Sequence, residues 1–202
     1  MKIPRSIQQL IESFERLPGV GPKSAQRLTF YLLHVPQAEL DRFAQALTNL
    51  KKGSVMCGNC YMIGETNPCE ICSDPKRDQS LICVVEQPLD VLALEKGGKY
   101  NGLYHVLHGK IDPLNNIGPD EIYLKPLLNR AANPDLEEII LATNPTMEGE
   151  ATAMYIAKQL KSQNSNVKIT RIGRGIPVGA DIEYADDITL QRAMEGRSEF
   201  SL

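Results

Sequence analysis

Two Cys-x-x-Cys pairs are the residues of this 202-residue chain whose types and spacing most clearly could do chemistry. Cys57-Gly58-Asn59-Cys60 is followed, after eight residues, by Cys69-Glu70-Ile71-Cys72. Each turn can aim two thiolates at one ion, and two such knuckles close a tetrahedron with zinc–sulfur distances near ~2.3 Å. Four sulfurs leave no position open for water or substrate, so the expected site is structural, with one zinc per chain. A four-thiolate iron–sulfur cluster is the alternative that uses the same ligands. Disulfides are disfavoured, because the opening Met1-Lys2-Ile3-Pro4-Arg5-Ser6 lacks the apolar block of a signal peptide and points to a reducing cytoplasm. The fifth cysteine, Cys83, lies inside an apolar run and reads as a plain core residue.

A second constellation is Leu17-Pro18-Gly19-Val20-Gly21-Pro22-Lys23-Ser24-Ala25. Gly19 and Gly21 in a tight hairpin let backbone N–H groups approach a partner that a Cβ would hold off. A helix starting at Pro22 turns its unpaired N–H groups and positive dipole end the same way, which makes a cradle for a phosphate. Lys23 and Arg27 are spaced i, i+4 and share one face beside it. None of these groups reads base edges, so the binding should be indifferent to DNA sequence. Spacing alone also fits an ordinary helix–turn–helix corner with a solvated basic face.

The remaining candidates are weaker. His105 and His108 fall three apart in an expected strand, face opposite sides, and read as structural. No phosphate-binding loop of the G-x-x-x-x-G-K-[ST] type is present. Gly173-Arg174-Gly175-Ile176-Pro177-Val178-Gly179 reads as a chain reversal before the C-terminal segment. Net charge is −3, yet residues 1–53 hold a balance of +4 and the other 149 a balance of −7. A basic head on an acidic body can still meet phosphates, because the local field decides.

The elements that must position these groups follow from periodicity. Residues 6–52 read as three helices. Ser6 and Gln9 suggest a capping box ahead of Ile7, Leu10, Ile11, Phe14 and Leu17. A second helix runs from Pro22 with Ala25, Leu28 and Leu32 on one face, and a third follows Pro36 with Leu40, Phe43, Leu47 and Leu50 inward. Residues 53–75 have little apolar periodicity and cannot make a core unaided. From Ser80 onward strands and helices alternate: strands at 81–85, 103–107, 138–142 and 167–172, helices at 89–96, 119–132, 149–161 and 188–194. The fold class is therefore α/β, a parallel sheet with helices on both faces behind a helical region and a small zinc module. No run is long and apolar enough to span a membrane. The expected divisions are 1–53, 54–76, 77–173 and 174–202.

The ordered combination of Leu17-Pro18-Gly19-Val20-Gly21-Pro22-Lys23-Ser24-Ala25-Gln26-Arg27-Leu28, the four cysteines and the α/β part closely resembles the bacterial recombination mediator family RecR along essentially the whole chain. The resemblance implies a helix–hairpin–helix that binds DNA through Gly19, Gly21, Lys23 and Arg27, a zinc at Cys57, Cys60, Cys69 and Cys72, and a Toprim domain. In active Toprim domains a glutamate after one strand and an Asp-x-Asp-x-x-Gly after another hold magnesium. Here Val84-Val85-Glu86 matches the glutamate, while Asn144-Pro145-Thr146-Met147-Glu148-Gly149 keeps the spacing with Asn and Thr in place of both aspartates. Two anionic ligands are thus missing, which argues against a magnesium-dependent nuclease or primase-like enzyme and for a protein without catalysis. The resemblance further implies that the Toprim face is a docking surface for RecO, and Glu86, Glu148 and Glu150 are expected to contribute to it as an acidic face. It also implies RecF as a partner, a role in loading RecA where single-strand binding protein covers gaps, and a ring-forming dimer or tetramer. Contacts between copies are expected from 174–202, whose residues 179–187 loosely match a Walker-B-like stretch. The setting is the bacterial cytoplasm, at the nucleoid.

Overall fold

The computed structural model describes residues 3–163 and 167–199. Chain contacts divide it into two compact units, Met1–Ser54 and Val55–Leu202. In the first, helices α1 (Arg5–Glu15), α2 (Pro22–Leu32) and α3 (Gln37–Asn49) follow one another. Pro22 takes the first helical position of α2, where its missing N–H costs nothing. The expected capping box at Ser6 and Gln9 does not form. Pro4 occupies the N-cap without a side-chain bond, so Ser6 already lies within the first turn of α1.

This unit has a thin interior. Among its described residues Ile11, Ala25 and Thr29 are the buried ones, and α3 buries none. Phe43, Leu47 and Leu50, expected to point inward, are 46%, 60% and 65% exposed, and Leu28 is 42% exposed. Three short helices have too little volume to cover their own apolar stripes. The periodicity is right, but the stripe stays exposed.

The second unit begins with a two-stranded antiparallel ribbon, β1 (Val55–Met56) with β2 (Ile63–Gly64), and a one-turn helix α4 (Glu70–Ser73). Then come β3 (Asp78–Val85), α5 (Pro88–Lys96), β4 (Gly102–Val106), α6 (Leu124–Ala131), β5 (Glu138–Leu141), α7 (Met147–Ser162), β6 (Lys168–Arg171) and α8 (Asp187–Glu195). The four longer strands form a parallel sheet in the order β4-β3-β5-β6. Side chains of β3 alternate strictly between two cores. Ile82 and Val84 join Leu124, Leu127, Ile139, Ile156 and Leu160 on the α6–α7 side. Cys83 and Val85 join Val91, Tyr104, Val106 and three of the paired cysteines on the other. The cysteine segment is therefore the lid of the second core.

Two local expectations change. The helix expected from 119 begins only at Leu124, because the Tyr123 N–H is committed to Leu107 O at 2.9 Å as the chain leaves β4. His108 lies beyond β4 with φ 56°, so strand alternation does not govern it. Cys83 is the core residue expected, 4% exposed, and burial pushes its thiol up to about 12. Among the described residues no helix is long and apolar enough to cross a membrane.

Ile156 on α7 is fully enclosed in the first core. Ile156→Ala is expected to cost about 2–5 kcal/mol, the sum of lost burial and a cavity that relaxes only in part. Denaturant unfolding followed by circular dichroism measures it, and a loss below 1 kcal/mol would show that α7 is not packed as described.

Candidate functional site

The Sγ atoms of Cys57, Cys60, Cys69 and Cys72 all lie within 4.8 Å of one another, with Cys60 and Cys69 at 3.5 Å. Sulfurs of a regular tetrahedron around zinc stand about 3.8 Å apart, so the set fits such an ion. The local backbone explains the convergence. Tyr61 N–H bonds to Cys57 O at 3.0 Å and Cys57 N–H to Met62 O at 2.8 Å, which folds the first pair into a knuckle with Tyr61 at φ 64°. Cys69 caps α4, and its N–H points at Cys57 Sγ at 3.4 Å; Met62 N–H points at Cys60 Sγ at 3.5 Å. Asn67 Oδ1 accepts from Gly58 N–H at 2.8 Å and ties the two knuckles together.

The thiols are not electrostatically equal. Burial pushes Cys57 up, but N–H groups of Cys60, Cys69 and Asn59 outweigh it and bring the thiol down to about 6. Cys60 is driven well above its usual range by its bond to Cys72 and then by burial. Burial, aided by the neighbouring sulfurs, takes Cys69 up to about 11. Four sulfurs this close repel each other's charge, and a bound cation is what lets all of them ionise. The donor set is thus suited to a metal ion.

Around the sulfurs stands a layer that the sequence did not announce. Val106 N–H donates to Cys60 O at 2.8 Å, so the knuckle continues the backbone bonding at the end of β4. His108 Nε2 meets Tyr61 O at 2.6 Å, and the Tyr61 ring stacks on Tyr123 at 4.3 Å. His105, wholly buried, places Nε2 against Tyr123 O at 2.6 Å and Nδ1 against Arg130 Nη1 at 3.2 Å. Since a guanidinium only donates, Nδ1 accepts and Nε2 carries the hydrogen. His105 is neutral, and burial, helped by the Arg130 charge, lowers its pKa from the ordinary 6.5 to about 4.

In the first unit the hairpin takes the expected form. Gly19 has φ +79°, a left-handed conformation that L side chains rarely adopt, and no atom stands within 4 Å of where a Cβ would be at Gly19 or Gly21. Ala25 N–H closes the first intrahelical bond of α2, to Gly21 O at 3.0 Å, so the N–H groups of Lys23 and Ser24 precede the ladder. Gly21 at the N-cap supplies no side chain to occupy them. Lys23 and Arg27 are exposed.

At the carboxyl ends of β3 and β5, where the strand order reverses direction, the three glutamates have separate fates. Glu86 is 5% exposed, and both its oxygens accept from Asn144, from the backbone N–H and from Nδ2, each at 2.8 Å. It presents no carboxylate to the surface. Gly149 is required here, since a Cβ would fall 2.1 Å from Asn144 O and 2.7 Å from Glu86 Oε1. Glu148 and Glu150 lie in the first turn of α7, where the helix dipole favours them. Glu148 pairs with Lys110 at 3.1 Å, and Glu150 pairs with Arg171 and Arg174. This end of the sheet is therefore a charge-compensated surface where the sequence suggested a bare acidic one. Arg171 and Arg174 bracket the end of β6, a spacing that carried no signal in one dimension.

Family comparisons match three stretches: residues 7–51 match "RecR, helix-hairpin-helix", residues 80–173 match "Toprim domain", and residues 175–198 match "RecR, C-terminal". A curated relative from Heliobacterium modesticaldum (strain ATCC 51547 / Ice1), "Recombination protein RecR", is 51% identical over 193 residues, covering 96% of this chain and 96% of the relative.

Two outcomes are expected of the cysteine lid. Prolonged chelation, or Cys72→Ser, should lower the thermal midpoint and release one metal ion per chain, since closing such a site couples on the order of 10 kcal/mol of binding to folding. Protein purified without chelator that holds no metal by elemental analysis would refute this. The second outcome concerns acid. Because the folded pKa of His105 lies below its unfolded value, its contribution is complete above about 6.5 and is lost as pH falls towards about 4. The stability of the parent over His105→Gln should therefore shrink by up to about 3 kcal/mol between pH 7 and pH 4, with urea titrations reading the difference.

Proposed function

Because the chain belongs to the RecR family of recombination proteins, we propose that it is a non-catalytic DNA clamp of recombinational repair that grips the phosphate backbone through its hairpin. The observation that carries this reading is the start of α2. An open hairpin with Gly19 at positive φ leads into a helix whose first N–H groups are uncapped, beside exposed Lys23 and Arg27. Backbone donors, a helix dipole and two cations converge on one anion, without any group suited to reading a base edge.

The other parts take supporting roles in this reading. Cys57, Cys60, Cys69 and Cys72 hold one structural zinc, the ion that best suits four thiolates in a closed tetrahedron. Several copies assemble into a ring-forming dimer or tetramer. The uncovered apolar residues of α2 and α3, and the exposed Val178, Ile182, Tyr184, Ile188 and Met194 of the C-terminal segment, are the kind of surface that association buries. Repetition then raises the avidity of a modest basic patch. RecO docks at the carboxyl end of the sheet, on Glu148 and Glu150 with their paired cations, while Glu86 serves that face from below by holding Asn144 in place. With RecO, and alternatively RecF, the clamp helps RecA replace single-strand binding protein at gaps, in the bacterial cytoplasm.

The test is a salt titration of DNA binding. Lys23→Ala and Arg27→Ala should each weaken binding about equally for every DNA sequence and reduce the slope of log K against log salt by about 1. Variants that match the parent at every salt concentration would leave the hairpin as a mere corner.

A further inference from the structure

We infer that Arg130 is the partly buried counter-cation of the four-cysteine metal centre, acting through its charge on the metal–thiolate group as well as through its hydrogen bonds. The inference rests on a metal occupying the four sulfurs.

Arg130 stands in the last turn of α6 with its guanidinium turned towards the second core. Its Nη1 donates to Tyr104 O at 2.7 Å and to His105 Nδ1 at 3.2 Å, both neutral acceptors. Among the described residues no carboxylate pairs with it, whereas Arg77, Arg171, Arg174 and Arg192 each have a glutamate. A partly buried cation without an anion is costly, and its site requires some other source of negative potential. That source is beside it. Arg130 lines one cleft with Gly58, Asn59, Tyr61 and Cys72. Burial opposes its charge, and the groups that favour the charge most are the sulfurs of Cys72, Cys60 and Cys57.

Charge balance explains why a cation belongs there. Four thiolates carry −4, and a divalent ion leaves −2 in a largely buried place. One guanidinium halves that residue without entering the coordination sphere. A positive charge lining the same cleft lowers the energy of the thiolates relative to the thiols, and so holds the metal more tightly. The hydrogen bonds also matter: Nη1 alone braces β4 through Tyr104 O and fixes the tautomer of His105, whose Nε2 donates to the Tyr123 carbonyl while the Tyr123 ring stacks on Tyr61. The metal, the knuckle and α6 thus form one electrostatic assembly.

The experiment uses the full-length, metal-loaded protein and the variants R130Q and R130K. Metal content is measured first, then the rate of transfer to a chromogenic chelator and the thermal midpoint with and without excess zinc. R130Q is expected to yield its metal about ten- to a hundredfold more readily, as loss of outer groups around a metal commonly does. R130K, which keeps the charge and loses the fork, should stay within a few-fold of the parent, and excess zinc should restore most of the midpoint lost in R130Q. Transfer rates like the parent's in R130Q overturn the inference. So does an equal loss in R130K and R130Q, which would leave only the hydrogen bonds. If R130Q does not accumulate, R130K decides alone: retention within a few-fold upholds the charge role, and loss as complete as that of Cys72→Ser overturns it. A parent that carries no metal fails at the first measurement, and that failure belongs to the metal reading itself.

Discussion

The convergence of four sulfurs on one point, a set suited to a shared cation, is the constraint on which the second unit depends. One face of the parallel sheet is covered by α6 and α7, which bring enough aliphatic side chains to close a core unaided. The other face has α5 and the cysteine segment, and that segment contributes few apolar side chains beyond Met62 and its own cysteines. Its position is secured by the convergence of the sulfurs, by the Val106–Cys60 backbone bond, and by the stack of Tyr61 on Tyr123. A metal site here is part of the wall of the core, so its loss would expose the sheet itself.

A related economy governs the carboxyl end of the sheet. In a Toprim fold this position suits carboxylates that share a divalent ion. Here Glu86 meets the amide of Asn144, and two hydrogen bonds satisfy it without any ion. That clamp, with Gly149 packed against it, sets where α7 begins and therefore where Glu148 and Glu150 project. Lys110, Arg171 and Arg174 then neutralise those projections. A surface of paired charges offers a partner orientation and specificity more than bulk attraction.

The helical unit illustrates the opposite balance. It orders a hairpin that leads into an uncapped helix start beside exposed Lys23 and Arg27, yet it buries almost nothing of its apolar stripe. An uncapped helix start and incomplete burial go together here, since three short helices enclose too little volume to bury their own apolar stripes.

Several features were legible in one dimension because they depend on local spacing. The doubled Cys-x-x-Cys, the Gly19–Gly21 hairpin ahead of Pro22, and the alternation of strands and helices are each decided by residues within a turn or two of one another. The family follows from their order along the chain. Tertiary structure decided everything that depends on distant residues meeting: strand order, the split of β3 side chains between two cores, the pairing of Glu86 with Asn144, and the placing of Arg130 beside the sulfurs. Nothing in the sequence tells a last-turn arginine that merely faces solvent from one that lines a cleft with a cysteine cluster. The same holds for α3, whose stripe is periodic but stands exposed. Period fixes which side chains share a face; only the assembled fold determines what that face meets.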